Sequence, residues 1–349
     1  MNPHRSAAVA KRIVTQFRRD RRSLGLLFGA PIIVLMLVGA LWGSTTLTTV
    51  HVIATGEVDQ QLYAALQGTS LELRALDKDA AIEELKAGRA DAVIEFDRDH
   101  FVITLEGSDP ARTSAIAGSV QSALVQLLID APLASAVKID YLYGGAGYSL
   151  LDYLAPVLIA LFAFFFIFLL STVSFLRERT SGTLERLLAT PLTRAELVIG
   201  YLGGFALFAL LQALVILAFT VLVLKVQYRG NLATIFIVEA VLVVGAVSLG
   251  LAISAFARNE LQAVQFVPLV LLPQVFLSGL LVPVDQLNDV LRPIAAVMPL
   301  TYANEALRSV MVKGYALSDP LILRDIGILA AFALVMAFAA VASIRREVA

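Results

Sequence analysis

"SFLRERTSGTLERLLATPLTRAELVIG", residues 174–200, joins two long apolar segments through a short polar connection. The connection carries seven charged side chains, whereas residues 153–176 and 197–224 on either side contain no Asp, Glu, Lys or Arg. An apolar helix of about 20 residues crosses the hydrocarbon core of a bilayer. The stretch therefore predicts two membrane spans with a charged loop between them.

The whole chain has the composition of a membrane protein. Of its 349 residues 58% are apolar and 16% are charged, and the mean hydropathy is +0.81, whereas soluble domains carry about 25% charged residues. The segments that are apolar and long enough to span a membrane are residues 24–43, 151–176, 197–224, 232–257, 261–284 and 324–344. The sequence predicts an α-helical polytopic membrane protein with six transmembrane helices.

The distribution of basic residues predicts the orientation in the membrane. Before the first span, seven Lys and Arg residues stand against the single acid Asp20, and the tail, residues 345–349, begins with two arginines. Lys and Arg are enriched in cytoplasmic segments, although Lys225 and Arg229 in a short outer loop oppose this trend. We predict a multi-pass protein of the cell (plasma or inner) membrane with cytoplasmic N- and C-termini.

The N-terminal segment, residues 1–23, has an amphipathic pattern. Val9, Ile13 and Phe17 recur every four residues with basic residues opposite them, which predicts a helix lying in the membrane interface on the cytoplasmic side. A basic flank without a defined helix is the alternative. The apolar run that follows is too long for a cleaved signal peptide and lacks a suitable cleavage site, so we interpret it as a retained span.

Residues 44–150 have ordinary soluble composition and are predicted to form an inserted extracytoplasmic α/β domain. Turn and periodicity signals predict strands at residues 48–56, 71–76, 90–96 and 101–107, and helices at residues 58–67, 79–88 and 109–129. No basic stripe or paired catalytic group is present, so the sequence does not identify the ligand of this domain.

The charged connection itself, residues 177–196, predicts a docking element. Its charges alternate in sign, Gly182 offers a break, and residues 183–188 form a short amphipathic pattern that ends before Pro191. Thr193 and Glu196 are spaced as a capping box for the next span. The alternative is a solvated loop whose charges only satisfy the preference for positive residues inside.

Two motifs resemble those of ABC-2 type transporter permeases, in the subgroup with a large extracytoplasmic domain after the first span. The first motif comprises residues 177–179, 182–185, 188, 190–192 and 196. The second lies within "FLSGLLVPVDQLNDVLRPIAAVMPLTYANEALR", residues 276–308, and comprises residues 276, 278, 279, 283, 287, 299–302 and 305–308. The chain departs from the family pattern at Leu287-Asn288, where the family commonly has Leu-Pro, which leaves the local helix start open.

The resemblance implies a transport subunit and not an enzyme. In this family the connection between the second and third spans is a coupling helix that docks on a separate ABC ATP-binding subunit, which here implies the contacts Arg177, Glu178, Arg179, Gly182, Thr183, Glu185, Arg186 and Pro191. Re-entrant short helices, residues 285–320, border the outer gate, with Pro283, Pro299, Thr301, Tyr302, Glu305 and Arg308 in that region. A plain outer loop is the alternative reading of this region.

The resemblance also implies partners and cargo. The permease pairs with a second copy of itself or with a similar permease in the lipid bilayer, and it exports an amphipathic or hydrophobic compound such as a drug or lipid. ATP and Mg belong to the partner subunit. The sequence agrees, because no lysine follows a glycine and the phosphate-binding G-x-x-x-x-G-K-[ST] motif is therefore missing.

Several site classes are disfavoured by residue usage. The chain has no cysteine, its three histidines (His4, His51 and His100) lack metal-ligand spacing, and its net charge of −1 gives no indication of nucleic-acid binding. We predict no catalytic, cofactor or metal site in this chain.

Two alternative functions stay open at this stage. Glu239 is a carboxylate inside the fourth span, and intramembrane ionisable groups are expensive and often functional, so the chain could be a proton-coupled secondary transporter. Glu239 could instead be a protonated or hydrogen-bonded residue between helices. The third class is a membrane-tethered receptor or scaffold, although six spans are more than an anchor requires.

Overall fold

The structure is a computed structural model that describes residues 2–41, 50–55, 71–97, 100–107, 137–143, 148, 150–280 and 284–344. The chain divides into two compact units. The helical unit comprises residues 1–39 and 154–349, and the sheet unit comprises residues 40–153. The tail predicted at residues 345–349 and Pro283 lie outside the described residues.

The helices are numbered here in chain order. They are α1 (Pro3–Arg19), α2 (Arg21–Leu41), α3 (Lys78–Lys86), α4 (Leu150–Thr180), α5 (Thr183–Leu188), α6 (Arg194–Leu222), α7 (Leu232–Ser254), α8 (Glu260–Leu277), α9 (Leu291–Ala295), α10 (Pro299–Met311) and α11 (Pro320–Ser343). Within the described residues, six of these are long and apolar enough to cross a membrane: α2, α4, α6, α7, α8 and α11. They correspond one to one with the six predicted spans.

The ends of these helices differ from the predicted bounds for local reasons. The span predicted to end at residue 176 continues as α4 to Thr180, because the charged residues after it are compatible with a helix and the break comes only at Gly182, whose φ is +67°. The span predicted at residues 261–284 is too long. Helix α8 ends at Leu277, and Gly279 just beyond it has a φ of +83°.

The N-terminal segment is helical, as predicted, but its apolar face is covered by protein. Val9, Ile13 and Phe17 on α1 are each at most 5% exposed, and they pack against α6. Protein packing therefore replaces the lipid contact predicted for this face. Helix α1 ends at Arg19. The next residue, Asp20, accepts hydrogen bonds from the side-chain hydroxyl and backbone N–H of Ser23 at the start of α2, and these bonds lower the pKa of the Asp20 carboxyl.

The sheet unit contains a mixed five-stranded sheet in its described residues. The strands are β1 (Val50–Thr55), β2 (Leu71–Ala75), β3 (Ala92–Asp97), β4 (His100–Leu105) and β5 (Val137–Tyr141), in the order β2-β1-β3-β4-β5. All neighbouring pairs are parallel except β3 and β4. Helix α3 packs on the sheet through Ala81 and Leu85, which are fully buried beside Ile53 and Val93.

Four of these strands and helix α3 match the predicted elements. Strand β5 was not predicted; it adds a parallel partner to β4 with Phe101 opposite Val137. The helices predicted at residues 58–67 and 109–129 lie outside the described residues.

Close helix packing joins α4 to α6 and α7. The Gln212 side-chain amide of α6 donates to the Phe162 carbonyl of α4 at 3.2 Å. On α7, a Cβ at Gly250 would lie 2.1 Å from the Ser171 hydroxyl of α4, so only glycine permits this approach. Small residues of this kind let helix backbones come close where no hydrophobic drive between helices exists.

Candidate functional site

The three charged residues at the end of α4 point to three different elements. Arg177 forms a two-pronged ion pair with Glu260 of α8, with N···O distances of 2.8 and 3.0 Å, and both side chains are more than half exposed. Arg179 donates to the Ser254 carbonyl at the end of α7 at 2.8 Å. These bonds show that α4 ends where α7 ends and where α8 begins.

Glu178 faces the interior of the protein. Its side chain is 6% exposed and both carboxylate oxygens accept from Nη2 of Arg12 on α1, at 2.9 and 2.8 Å. The sequence placed Glu178 among the contacts to a partner subunit. In this structure both oxygens of its carboxylate bind Arg12 within the chain, and its assignment to the partner contacts stays a prediction.

The short helix α5 presents charges to solvent. The positive φ of Gly182 turns the chain at the end of α4, and Ser181 and Thr183 share a hydroxyl hydrogen bond of 3.0 Å across that turn. Glu185 and Arg186 are exposed, whereas Leu184 is 6% exposed on the opposite face. Of the predicted docking residues, these two charges are the ones most available to a partner.

The chain returns from α5 to the membrane-spanning region through a fixed turn. Pro191 is exposed, and the predicted capping box is present: the Thr193 hydroxyl accepts from the Glu196 N–H, and the Glu196 carboxylate accepts from the Thr193 N–H at 2.9 Å. Glu196 also accepts from the backbone N–H of Asn2, and the Arg5 guanidinium donates to the Pro191 carbonyl. The N-terminus of α1 is thereby attached to the start of α6.

Helix α1 therefore holds both ends of the segment that contains α5. Arg12 binds Glu178 before α5, and Asn2 and Arg5 bind Glu196 and Pro191 after it. We call this arrangement the α1 strap: helix α1 with its polar bonds to residues 178, 191 and 196. These bonds join α1 to the end of α4 and to the start of α6, the two spans that flank α5.

Glycines on α6 make the contact with α1 possible. A Cβ at Gly200 would lie 2.5 Å from the Cβ of Val9, and one at Gly204 would lie 2.7 Å from the Cβ of Ile13. The Phe17 ring then meets the Phe205 ring edge to face, with centroids 5.4 Å apart. Sequence reasoning missed this interface, although the spacing of four between the glycines matches the spacing of the apolar residues on α1.

The predicted gate residues lie at the other end of the helical unit. Helix α7 connects the two ends: Ser254 at its end is bonded to Arg179, whereas the turn before its start contacts the end of α10, where Arg229 donates its backbone N–H to the Met311 carbonyl at 2.8 Å. The region predicted as short helices, residues 285–320, contains a 3₁₀ turn (Val284–Gln286), α9 and α10.

Helix α10 is tied to its neighbours by several polar contacts. Pro299 opens the helix, and the Thr301 hydroxyl and the Tyr302 hydroxyl donate to α9 and the residue after it, the Ala295 and Ala296 carbonyls, at 2.8 and 2.6 Å. Two residues further along α10 bind the segment just after α8: Asn304 donates to the Ser278 carbonyl and hydroxyl, and Arg308 donates to the Gly279 carbonyl. Glu305 forms an ion pair with Arg324 of α11 at 2.9 Å. The predicted gate residues in the described region are thus assembled around one helix.

We expect Asn304→Ala to destabilise this end of the protein more than Tyr302→Phe does. Asn304 is 4% exposed and makes two bonds of 2.9 Å to Ser278, and removing a buried hydrogen-bonding partner costs about 1–3 kcal/mol. The Tyr302 bond is exposed, so its loss costs about 0.5–1.5 kcal/mol at most. Thermal unfolding of the two purified variants in the same detergent measures the order, and equal midpoints would contradict it.

Glu239 is separated from both groups of residues. It lies on α7 with 0% exposure, and neither carboxylate oxygen has a hydrogen-bond partner among the described residues. The described part of the chain contains no group of three or more His, Cys, Asp or Glu residues that could hold a metal ion. The structure thus brings together the predicted docking residues at one end and the predicted gate residues at the other, with Glu239 in neither group.

Comparison with known proteins gives a match over most of the chain. The model of the family described as "ABC-2 family transporter protein" matches residues 21–342. A region of 175 residues is 33% identical to "ABC transporter G family member 20" of Dictyostelium discoideum and covers 50% of this chain and 24% of that protein.

Two bacterial relatives match over stretches of similar length. The "Probable multidrug ABC transporter permease YbhS" of Escherichia coli (strain K12) is 31% identical over 147 residues, which is 42% of this chain and 39% of YbhS. The "Linearmycin resistance permease protein LnrN" of Bacillus subtilis (strain 168) is 28% identical over 170 residues, which is 49% of this chain and 43% of LnrN. The matched region spans less than half the length of each of these relatives.

Proposed function

The chain belongs to the ABC-2 family of transporter proteins, and from that premise we propose that it is the membrane-spanning permease of an exporter driven by a separate ATP-binding subunit. The observation that carries the proposal is the position of α5. This short helix lies between two spans and exposes Glu185 and Arg186, while helix α1 is bonded to the spans on both sides of it.

The proposed topology follows from the basic residues at the α5 end. Arg177, Arg179 and Arg186 lie there, as do Arg18 and Arg19 at the end of α1, and Lys and Arg favour the cytoplasmic side. In this topology both termini and α5 face the cytoplasm, the sheet unit and α10 face outward, and the protein lies in the cell membrane.

The proposed mechanism is rigid-body transmission through α5. Closure of the ATP-binding subunits around ATP and Mg pushes on α5, and the short turns on either side pass the movement to α4 and α6. The α1 strap moves with them because it is bonded to both. The spans of this permease and of a second permease then tilt to open a path between them. Two identical copies or two similar permeases satisfy this geometry.

The relatives support a hydrophobic or amphipathic cargo. Their names assign multidrug transport to YbhS and linearmycin resistance to LnrN. We propose that this chain likewise exports a drug-like or lipid-like compound from the cytoplasm or the inner leaflet.

Charge reversal on α5 tests the docking role. Because like charges facing each other in an interface cost several kcal/mol, we expect Arg186→Glu and Glu185→Arg each to weaken binding of the ATP-binding subunit by about tenfold or more. The measurement is the amount of that subunit copurified with the tagged permease, followed by ATP-dependent efflux.

Lys11→Glu is the matched control for Arg186→Glu. It makes the same charge change at an exposed position of α1, which belongs to the same end of the molecule but not to α5. Normal copurification and efflux in both α5 variants would rule out α5 as the docking element, whereas equal losses in the control would show a general charge effect instead.

Glu239 supports a second candidate function, proton-coupled transport. A fully buried carboxylate without a hydrogen-bond partner among the described residues is the observation that favours it. Glu239→Gln keeps the shape of the side chain and removes its titration. Two results together would favour proton-coupled transport over the ABC exporter. The wild type would show substrate flux driven by a pH gradient that Glu239→Gln loses, and no ATP-binding subunit would copurify with the wild type.

A further inference from the structure

A cleft of about 820 Å³ lies beside α5. Its walls are the last turn of α4, one face of α5, the connection between α7 and α8 at residues 255–258, and the end of α11. We call it the α5 cleft. Three membrane-spanning helices end around it, at Thr180, Ser254 and Ser343, so the cleft lies at the depth where a bilayer has its headgroups.

The charges of the α5 cleft suit an anion. Arg179 and Arg258 line it against the single acid Glu185. Arg179 is held in place by its bond to the Ser254 carbonyl, whereas Arg258 is exposed. Guanidinium groups bind phosphate through paired hydrogen bonds. Two arginines that line one cleft are suited to binding a phosphate group.

The remaining lining is apolar and suits the upper part of a lipid. Leu188 of α5 and Ile344 after α11 contribute side chains to the wall, and Phe256 is 71% exposed in the connection between α7 and α8. An exposed phenylalanine beside arginines suits the boundary between headgroups and acyl chains, where interfacial helices bury Phe and Leu side chains. In the sequence, Ile344 is followed by two more basic residues, Arg345 and Arg346.

We propose that the α5 cleft binds the phosphate headgroup of an anionic phospholipid, with Arg179 and Arg258 on the phosphate and Phe256 against the start of the acyl chains. Basic pockets between membrane helices on the cytoplasmic side bind headgroups of this kind. Only the assignment of the bound lipid to the inner leaflet depends on the proposed topology. A lipid there would contact α5 and could set the orientation in which the ATP-binding subunit meets it.

The test uses tryptophan fluorescence of the full chain without any ATP-binding subunit. The chain has one tryptophan, Trp42, so the variant Trp42→Phe with Phe256→Trp carries a single reporter beside the cleft. It is reconstituted into phosphatidylcholine nanodiscs with increasing fractions of brominated phosphatidylglycerol or of brominated phosphatidylcholine. We expect saturable quenching that needs a lower mole fraction of the anionic lipid.

Removing one arginine tests the recognition. Arg258→Gln in the reporter background should raise the half-saturating fraction of the anionic lipid about fivefold, the factor expected for one basic residue at a membrane surface. The matched control is Arg19→Gln, which removes the same charge from an exposed position on α1 outside the cleft, and it should leave the half-saturating fraction unchanged.

Four results would overturn the proposal. Equal quenching by both lipids would show no headgroup recognition, and an unaltered preference in Arg258→Gln would remove Arg258 from the site. Quenching by neither lipid, together with protection of the reporter when the ATP-binding subunit is added, would assign the cleft to that protein. Loss of the preference with soluble glycerophosphate would assign it to a free phosphate compound. None of these results depends on whether the protein exports anything.

Discussion

We expect Gly200→Ala to detach helix α1 from α6 and to abolish transport. The added Cβ would lie 2.5 Å from the Cβ of Val9 and 2.9 Å from the Ser6 carbonyl oxygen, whereas carbon atoms in contact are about 3.5–4.0 Å apart. The obstacle on α1 is partly backbone, so a side-chain rotation cannot relieve it. Overpacking of this kind costs about 1–3 kcal/mol or more, which exceeds the gain of about 1 kcal/mol when alanine replaces glycine in a helix.

Gly203→Ala provides a control in the same turn of the same helix. Its Cβ would lie 3.7 Å from the Ala10 Cβ, which is an ordinary contact, and the position is exposed. We expect this variant to be neutral or slightly more stable, because only the helix propensity of the residue changes. The two substituted positions lie three residues apart on α6 and receive the same methyl group. A loss of transport in Gly200→Ala only would therefore show that the contact with α1 is the cause.

Thiol labelling reports whether α1 is docked. The chain has no cysteine, so Ser6→Cys introduces a single thiol of nearly native size at a position that is 9% exposed and faces Gly200. Labelling should be slow in the otherwise native protein and in Gly203→Ala, and fast in Gly200→Ala. Equally slow labelling in both glycine variants would show that α1 tolerates the methyl group and that the α1 strap is looser than the structure indicates.

The sequence was sufficient for features that depend on local pattern. Apolar segments of spanning length identified α2, α4, α6, α7, α8 and α11, and the capping box at Thr193 and Glu196 located the start of α6. Short helix α5 followed from its amphipathic pattern and the proline after it. The family assignment rested on two motifs and is confirmed by a match over residues 21–342.

Features that depend on distant contacts could not be found in this way. Arg12 and Glu178 are 166 positions apart, and a charged residue next to a predicted span is equally compatible with a partner subunit and with an internal ion pair. The apolar stripe of α1 has the same periodicity whether it faces lipid or Gly200 and Gly204. Strand β5 is short, and its pairing with β4 is parallel and non-local, so no hairpin signal marks it.

The second large effect concerns the buried ion pair of the α1 strap. We expect Arg12→Ala to be more harmful than Glu178→Ala, because it leaves the Glu178 carboxylate, whose side chain is 6% exposed, without its cation. Breaking one partner of a fully buried pair costs about 3–5 kcal/mol, and the 35% exposure of the Arg12 side chain reduces this. An effect of about 2–3 kcal/mol on stability follows for Arg12→Ala, with export impaired because α4 is no longer tied to α1.

The neighbouring pair Arg177–Glu260 is the matched control for this prediction. It has the same N···O distance of 2.8 Å, but its side chains are 56% and 52% exposed, and exposed ion pairs contribute about 0–1 kcal/mol. Double-mutant cycles on both pairs, measured by thermal unfolding in detergent at low and high salt, give the two coupling energies. We expect the Arg12–Glu178 coupling to be larger and to persist in high salt, whereas the Arg177–Glu260 coupling is screened away.

Export and ATP hydrolysis measured on the same variants separate a stabilising contact from one that transmits movement. If Arg12→Ala lowers export while the ATP-binding subunit still binds and hydrolyses ATP, the α1 strap carries force from α5 to the spans. If export falls only in proportion to the amount of folded protein, the strap is a structural contact and α5 acts on α4 and α6 directly. Coupling energies of equal size would contradict this prediction, because the buried Arg12–Glu178 pair would then contribute no more to stability than the exposed Arg177–Glu260 pair.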